Sequence, residues 1–240
     1  MRNLKLILLI QVFFLFFSCK KDDSPPKQVE SEPTPRYSFA LAFDDERSKL
    51  ILFGGFNSGT LMNDTWEWDG TKWEMKSKSG PSPRNGPAMV YDSKRKKTIL
   101  FGGDAGSESL SDTWEWDGDE WKLLSSEGPP GRSLHTLDYD AARDKVILFG
   151  GINSQITMGD LWEWDGVKWA QVVTTGGPDA RFLHASSYDD QNKQILIFGG
   201  NNLLASTQQS FRGDLWAWDG SQWKQYTSTG APSPRDRSEE

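Results

Sequence analysis

Chemically distinctive residues are scarce in this chain. Its 240 residues include one cysteine, Cys19, and two histidines, His135 and His184. Both histidines stand three residues after a recurring arginine, which points to a role in the repeat. Two imidazoles near one axis can also bind a metal, but no third or fourth ligand has a recognisable zinc spacing. There is no Ser-His-Asp order, phosphate-binding glycine loop or isolated carboxylate pair. No catalytic residue, metal or cofactor is therefore expected.

Positive charge is also short. Lys and Arg number 27 against 34 Asp and Glu, a net charge of −7. Without residues 1–18, which carry Arg2 and Lys5, 25 basic residues face 34 acidic ones, a net of −9. Such a body repels polyanions, which excludes nucleic acid and an anionic lipid surface as partners. Long apolar runs are limited to one, residues 6–17, whereas a spanning helix needs roughly 20 such residues. Behind Arg2 and Lys5 this run reads as a secretory signal segment over residues 1–18.

The signal segment ends in Phe16-Phe17-Ser18-Cys19, which resembles a bacterial lipobox, where a small residue precedes the cysteine that becomes lipidated. Acyl chains on Cys19 would tether the protein to a membrane, since more than one chain gives stable anchoring at ~0.8 kcal/mol per buried methylene. Lys20-Lys21-Asp22-Asp23 resembles the signal that sends some lipoproteins to the outer face of the outer membrane. The alternatives are a stray thiol and an ordinary charged tether. Residues 19–34 form a solvated spacer rich in Pro, Ser, Glu, Gln and Lys.

Beyond residue 35 the chain says one thing four times. Arginines stand at Arg36, Arg84, Arg132 and Arg181, double glycines open at Gly54, Gly102, Gly150 and Gly199, and indole triplets begin at Trp66, Trp114, Trp162 and Trp216. The glycines repeat every 48, 48 and 49 residues, and the triplets account for all twelve tryptophans. A period of this length marks an array of identical supersecondary units. The repeats run approximately over residues 35–82, 83–130, 131–179 and 180–233, and residues 234–240 begin a fifth.

Each repeat divides into four short strands; in the first they span about 37–43, 49–53, 65–68 and 73–76. Asp69-Gly70 is a hairpin signal, because glycine takes positive φ without strain. A two-residue turn there would set Trp66 opposite Trp73 and Glu67 opposite Lys72. The second strand, Leu50-Ile51-Leu52-Phe53 in the first repeat, is apolar on both faces and so must be covered on both. Radial repetition of small antiparallel sheets satisfies that demand: the fold class is all-β, a β-propeller of four-stranded antiparallel blades. The indoles serve blade packing, each hiding about 200 Å², worth roughly 5 kcal/mol as an upper bound. Sugar stacking by one of them is the alternative.

Strand, doubled glycine, aromatic residue and tryptophan at a period near fifty resemble the kelch repeat over nearly all of residues 35–235. The Trp-x-Trp-Asp-Gly segment is richer in indole than the usual kelch pattern. The period and the missing Gly-His opening disfavour a WD-type repeat. The adjacent Asp and Gly of Asp69-Gly70 disfavour a sialidase Asp-box. Kelch propellers include a copper oxidase of galactose, whose cysteine-tyrosine cofactor is excluded by a lone cysteine at the lipobox, and a sialic acid mutarotase, which needs little more than arginine, glutamate and histidine around a channel. Kelch propellers usually close with more than four blades. Either four blades close here or the array is an open arc whose bare end faces lead to self-association, misfolding in isolation or an incomplete product.

Antiparallel order places the Gly-Pro linkers and the loops after Gly-Gly on one face. Arg36, Arg84, Arg132 and Arg181 lie there, and a ring of guanidinium groups can bind a carboxylate, sulfate or acidic sugar. Alternatively each arginine pairs with an aspartate of the set Asp64, Asp112, Asp160 and Asp214 and locks adjacent blades. One loop breaks the rhythm, with fourteen positions from Gly200 to Asp214 against nine from Gly55 to Asp64. It carries Gln208, Gln209, Phe211 and Arg212, and loops on rigid scaffolds commonly carry recognition. The functional expectation is a non-catalytic, lipid-anchored module at the outer membrane that binds a glycan or protein through Arg36, Arg84, Arg132, Arg181, Gln208, Phe211 and Arg212. A mutarotase-like enzyme or a pure scaffold is the alternative.

Overall fold

The computed structural model describes residues 31–154, 156–202 and 210–227. Cys19, Gln208 and residues 234–240 lie outside the described residues. The first sheet contains β1 (Ala40–Asp44) and β2 (Lys49–Phe53), then a small hairpin of β3 (Phe56–Asn57) and β4 (Thr60–Leu61), then β5 (Thr65–Trp68) and β6 (Trp73–Ser77). The second contains β7 (Ala88–Asp92), β8 (Lys97–Phe101), β9 (Thr113–Trp116) and β10 (Trp121–Ser125). The third contains β11 (Thr136–Asp140), β12 (Lys145–Phe149), β13 (Leu161–Trp164) and β14 (Trp169–Val172). The fourth contains β15 (Ala185–Asp189) and β16 (Gln194–Phe198), the hairpin of β17 (Asn201–Asn202) and β18 (Ser210–Phe211), and then β19 (Leu215–Trp218) and β20 (Trp223–Tyr226).

The four main sheets are four-stranded antiparallel meanders, β1-β2-β5-β6 in the first and β15-β16-β19-β20 in the fourth, with β3–β4 and β17–β18 as separate two-stranded hairpins, and no helix occurs among the described residues. The innermost strands pack side by side in the order β1, β7, β11, β15. The first strand of the first sheet begins at Ala40 rather than at Tyr37, because Ser38 takes a left-handed φ of 52° and Tyr37 bridges back to Phe56.

The turn at Asp69 is set one residue further along than expected, with Asp69 facing Lys72. Trp68 faces Trp73 and Glu67 faces Glu74, so the expected pairs Trp66–Trp73 and Glu67–Lys72 do not form. The Asp69 carboxylate explains the shift: its Oδ1 accepts from the Thr71 and Lys72 backbone N–H groups and from the Thr71 hydroxyl. The Asp69 N–H also donates to Lys72 O at 3.2 Å, so the side-chain acceptor and this backbone bond together set the turn one residue further on, around Gly70 and Thr71. Asp117, Asp165 and Asp219 do the same in the other sheets.

Burial comes from the next blade. The face of the first sheet bearing Ala40, Ala42, Ile51 and Phe53 packs on the face of the second bearing Met89, Leu100 and Trp116. The pattern recurs between the second and third sheets and between the third and fourth. Each joint also carries an edge-on aromatic pair: Phe53–Trp121, Phe101–Trp169 and Phe149–Trp223, with centroids 5.3, 5.4 and 5.2 Å apart. The run of sheets is open. Leu41, Phe43 and Met75 are exposed on the outward face of the first sheet, as are Ala185 and Ser187 on that of the fourth.

Candidate functional site

The loop face is built around the four arginines, which do not form a ligand-binding ring. Arg84, Arg132 and Arg181 are buried, and Arg36 has a side chain only 3% exposed. Each is forked onto an aspartate, in the pairs Arg36–Asp64, Arg84–Asp112, Arg132–Asp160 and Arg181–Asp214 at 2.5–2.9 Å. The same guanidinium donates to the first glycine carbonyl of its doublet, as Arg84 does to Gly102 at 2.9 Å. In Arg36 and Arg84 all five N–H donors are occupied within the chain, including those to Thr34 and Ser82. Such a fork has nothing left for an incoming carboxylate or sulfate.

The arginines instead join blades. The Arg84 N–H donates to Met62 O at 3.0 Å, and the Arg84 carbonyl accepts from Gly55 N–H at 2.9 Å, both in the preceding blade. Its side chain holds Asp112 and Gly102 in its own blade. Arg132 and Arg181 repeat the arrangement through Leu110 and Gly103, and through Met158 and Gly151. The doubled glycines are needed here. A Cβ on Gly102, whose φ is +65°, would stand 2.6 Å from Arg132 O. Each aspartate also accepts from the first indole of its triplet, as in Trp114 Nε1–Asp112 Oδ2 at 2.7 Å. Burial alone would raise these carboxyls, but the arginine and indole hydrogen bonds, with the arginine charge, hold Asp64, Asp112, Asp160 and Asp214 below the ordinary carboxylate range.

Two further joints link the blades beyond those expected from the repeat. Ser38, Gly86, Leu134 and Leu183, two residues after each arginine, all take positive φ. Their backbones form a staircase in which Gly86 N–H donates to Ser38 O, Leu134 N–H to Gly86 O and Leu183 N–H to Leu134 O. On the opposite face Arg95 and Arg143 donate to Asp165 O and Asp219 O, the Asp-Gly turns of the following blades. Arg47 stands against Gly118 in the equivalent place and pairs with Glu67, whose carboxylate also accepts from Trp116 Nε1. The phase of Arg47, Arg95 and Arg143 was visible in the sequence; in the fourth repeat it is held by Asn192.

Around the axis the inner strands leave a cavity of about 560 Å³, lined by residues of all four blades. Tyr37 and Leu41 form part of its wall in the first blade, Met89 in the second, His135, Thr136, Leu137 and Asp138 in the third, and Ser186 in the fourth. The two histidines sit in successive joints, edge-on to Phe101 and Phe149 at 5.5 Å. His184 shares a 3.0 Å hydrogen bond with the Thr136 hydroxyl. Burial, with the Arg132 charge, holds His135 well below its usual pKa. No group of three metal-ligating side chains converges among the described residues.

The family model of the attractin/LZTR1 β-propeller matches residues 72–238, well over half of the chain. The chain belongs to that family. Comparison with curated proteins gives no match. In this attractin/LZTR1-type propeller, the kelch-like blades expected from the repeat are present as four-stranded antiparallel sheets. Within the insert, β17 and β18 pair Asn201 with Phe211, and Asn201 bridges to Phe182 at the entry of the fourth blade. Phe211 is exposed, whereas Arg212 forms an ion pair with Asp179 at 3.1 Å.

Proposed function

We propose that the chain is a non-catalytic binding module, tethered through Cys19 to the outer membrane, that recognises a glycan or protein with its loop face. The observation that carries this reading is the fourth blade's hairpin. All four loops after the doubled glycines pair with themselves and are closed by an arginine clasp, but the fourth is the longest and its β17–β18 pair leaves Phe211 exposed on that clasped base. Tyr37, also exposed, lies at the same end of the first blade, edge-on to Phe56 at 5.5 Å. Aromatic side chains on a fixed frame bind with little ordering cost, and they stack on sugars and on protein surfaces alike.

The repeat arginines take no part in this recognition, because they are buried and forked onto their aspartates. The same fact weighs against the mutarotase alternative, which would need those arginines at the channel. Glycan-array binding of the chain, with Tyr37→Ser and Phe211→Ser variants, tests the reading. Loss of a bound glycan or protein ligand in either variant, with unchanged fold, is the expected result. Anomer exchange of α-sialic acid above background by the purified protein would overturn it.

A further inference from the structure

The inner edges of the three blade joints differ. At the first joint Ala42 of β1 and Met89 of β7 hold corresponding places, and at the second Val90 of β7 and Leu137 of β11 do. At the third the same two places are taken by Asp138 of β11 and Ser186 of β15, with Thr136 and His184 hydrogen-bonded one step along. A carboxyl thus replaces an alkyl group at one of three equivalent positions. Asp138 is only 9% exposed, and its wall opens on the axial cavity.

Other buried acids of the described blades have a cationic partner. Asp64, Asp112, Asp160 and Asp214 each hold an arginine, as do Asp44, Asp92 and Asp140. Asp138 forms no ion pair among the described residues. The Ser186 hydroxyl is beside it, and burial raises its carboxyl to about 6. An unpaired buried carboxyl is costly to the fold. Departures of this kind from an otherwise consistent packing rule collect at functional sites.

We propose that Asp138 and Ser186 form a binding site for a small organic ammonium ion, whose charge pairs with the carboxylate and whose carbon body fills the cavity beside Leu41, Met89 and Leu137. The cavity has the volume of a small-molecule site and a wall that is about half apolar and half polar, with Asp138 and Ser186 among its polar groups. A protonated amine supplies the charge that the fold withholds from Asp138, and Ser186 accepts a further N–H. Tyr37 stands at the rim as an aromatic face for the cation. This site shares Tyr37 with the loop face but requires neither Phe211 nor the hairpin of the fourth blade.

The test is titration of the full chain with n-butylammonium and with glucosamine, each against its neutral counterpart, n-butanol and glucose, followed by tryptophan fluorescence and calorimetry. The ammonium member of each pair is expected to bind at least about tenfold tighter. Asp138→Asn is expected to erase that preference. Asp138→Val, which restores the residue type of Val90, is expected to remove binding while raising Tm by about 2–4 °C, because an unpaired buried carboxyl is gone. Absence of saturable binding by either ammonium ion, equal binding of charged and neutral members, or a lower Tm in Asp138→Val would each overturn the proposal. Glycan or protein binding by the loop hairpin should be unchanged in both Asp138 variants.

Discussion

Phe53, Phe101, Phe149 and Phe198 occupy one position in four successive sheets, yet the first three are buried at 0–2% exposure and the fourth is only half-buried. On the opposite faces Met89 and Leu137 are buried, while Leu41, their equivalent in the first sheet, is 43% exposed. The second indoles agree: Trp116, Trp164 and Trp218 are fully buried, and Trp68 is not. Identical side chains in identical strands therefore differ in burial according to whether another blade stands against them. Stability in this chain belongs to the joints, as expected of an array in which each unit contacts only its neighbours.

The largest contrast should come from the phenylalanines. Phe101→Ala, at a covered joint, is expected to cost about 3–5 kcal/mol in urea unfolding, and Phe198→Ala at an uncovered face less than about half of that. Equal losses would show that the fourth sheet's outer face is covered by something else.

Acid should act on the clasps collectively. The four clasp aspartates have folded pKa values below their unfolded ones. Their contribution is therefore complete above the unfolded carboxylate pKa of about 3.9 and lost as pH falls through the lower folded values. Replacing Asp160 with Asn should flatten that acid limb of a stability–pH curve; an unchanged limb would remove the clasps from the account.

A smaller effect separates the joints from one another. Trp121 and Trp169 donate to the Thr65 and Thr113 hydroxyls at 2.8 Å, whereas Trp223 meets Leu161 in the equivalent phase. Thr113→Val should cost about 1 kcal/mol. The smallest effect is expected on the bare face of the first sheet, where Leu41→Ser with Phe43→Ser should change stability by no more than about 0.5 kcal/mol. Light scattering should meanwhile show less association, since the substitutions remove an apolar patch. A large loss of Tm there would mean that another sheet covers the face.

Much of the architecture was legible because the repeat is dense in punctuation. Gly54-Gly55 and its copies, the alternating indoles and Leu50-Ile51-Leu52-Phe53 define strand, end and face without ambiguity. The pairing of Arg36, Arg84, Arg132 and Arg181 with Asp64, Asp112, Asp160 and Asp214 was one of two readings open in the sequence, and burial decides between them. What escaped was what side-chain identity does not encode. Ser38, Gly86, Leu134 and Leu183 share a left-handed backbone but no chemistry, so their hydrogen-bonded staircase has no sequence signature. The hairpin register at Asp69 was missed because its carboxylate, bonded to Thr71 and Lys72, draws Asp69 out of the turn centre and moves that centre to Gly70 and Thr71. Asp138 was legible only as a departure from Ala42 and Val90, once β11 was known to line the axis.

The central claim is that the aspartate clasp fixes each repeat arginine in its own blade, so that in Arg84, Arg132 and Arg181 the backbone can bond the preceding one, and a double-mutant cycle on Arg132 and Asp160 tests it most directly. Arg132→Met alone should cost about 3–5 kcal/mol, because it leaves the Asp160 carboxylate without its cation, with only the Trp162 indole donating to it, and the Gly150 carbonyl without the guanidinium. Combined with Asp160→Asn, the loss should fall short of the sum by about 2 kcal/mol, the coupling of a contacting pair. Losses that simply add would contradict the clasp.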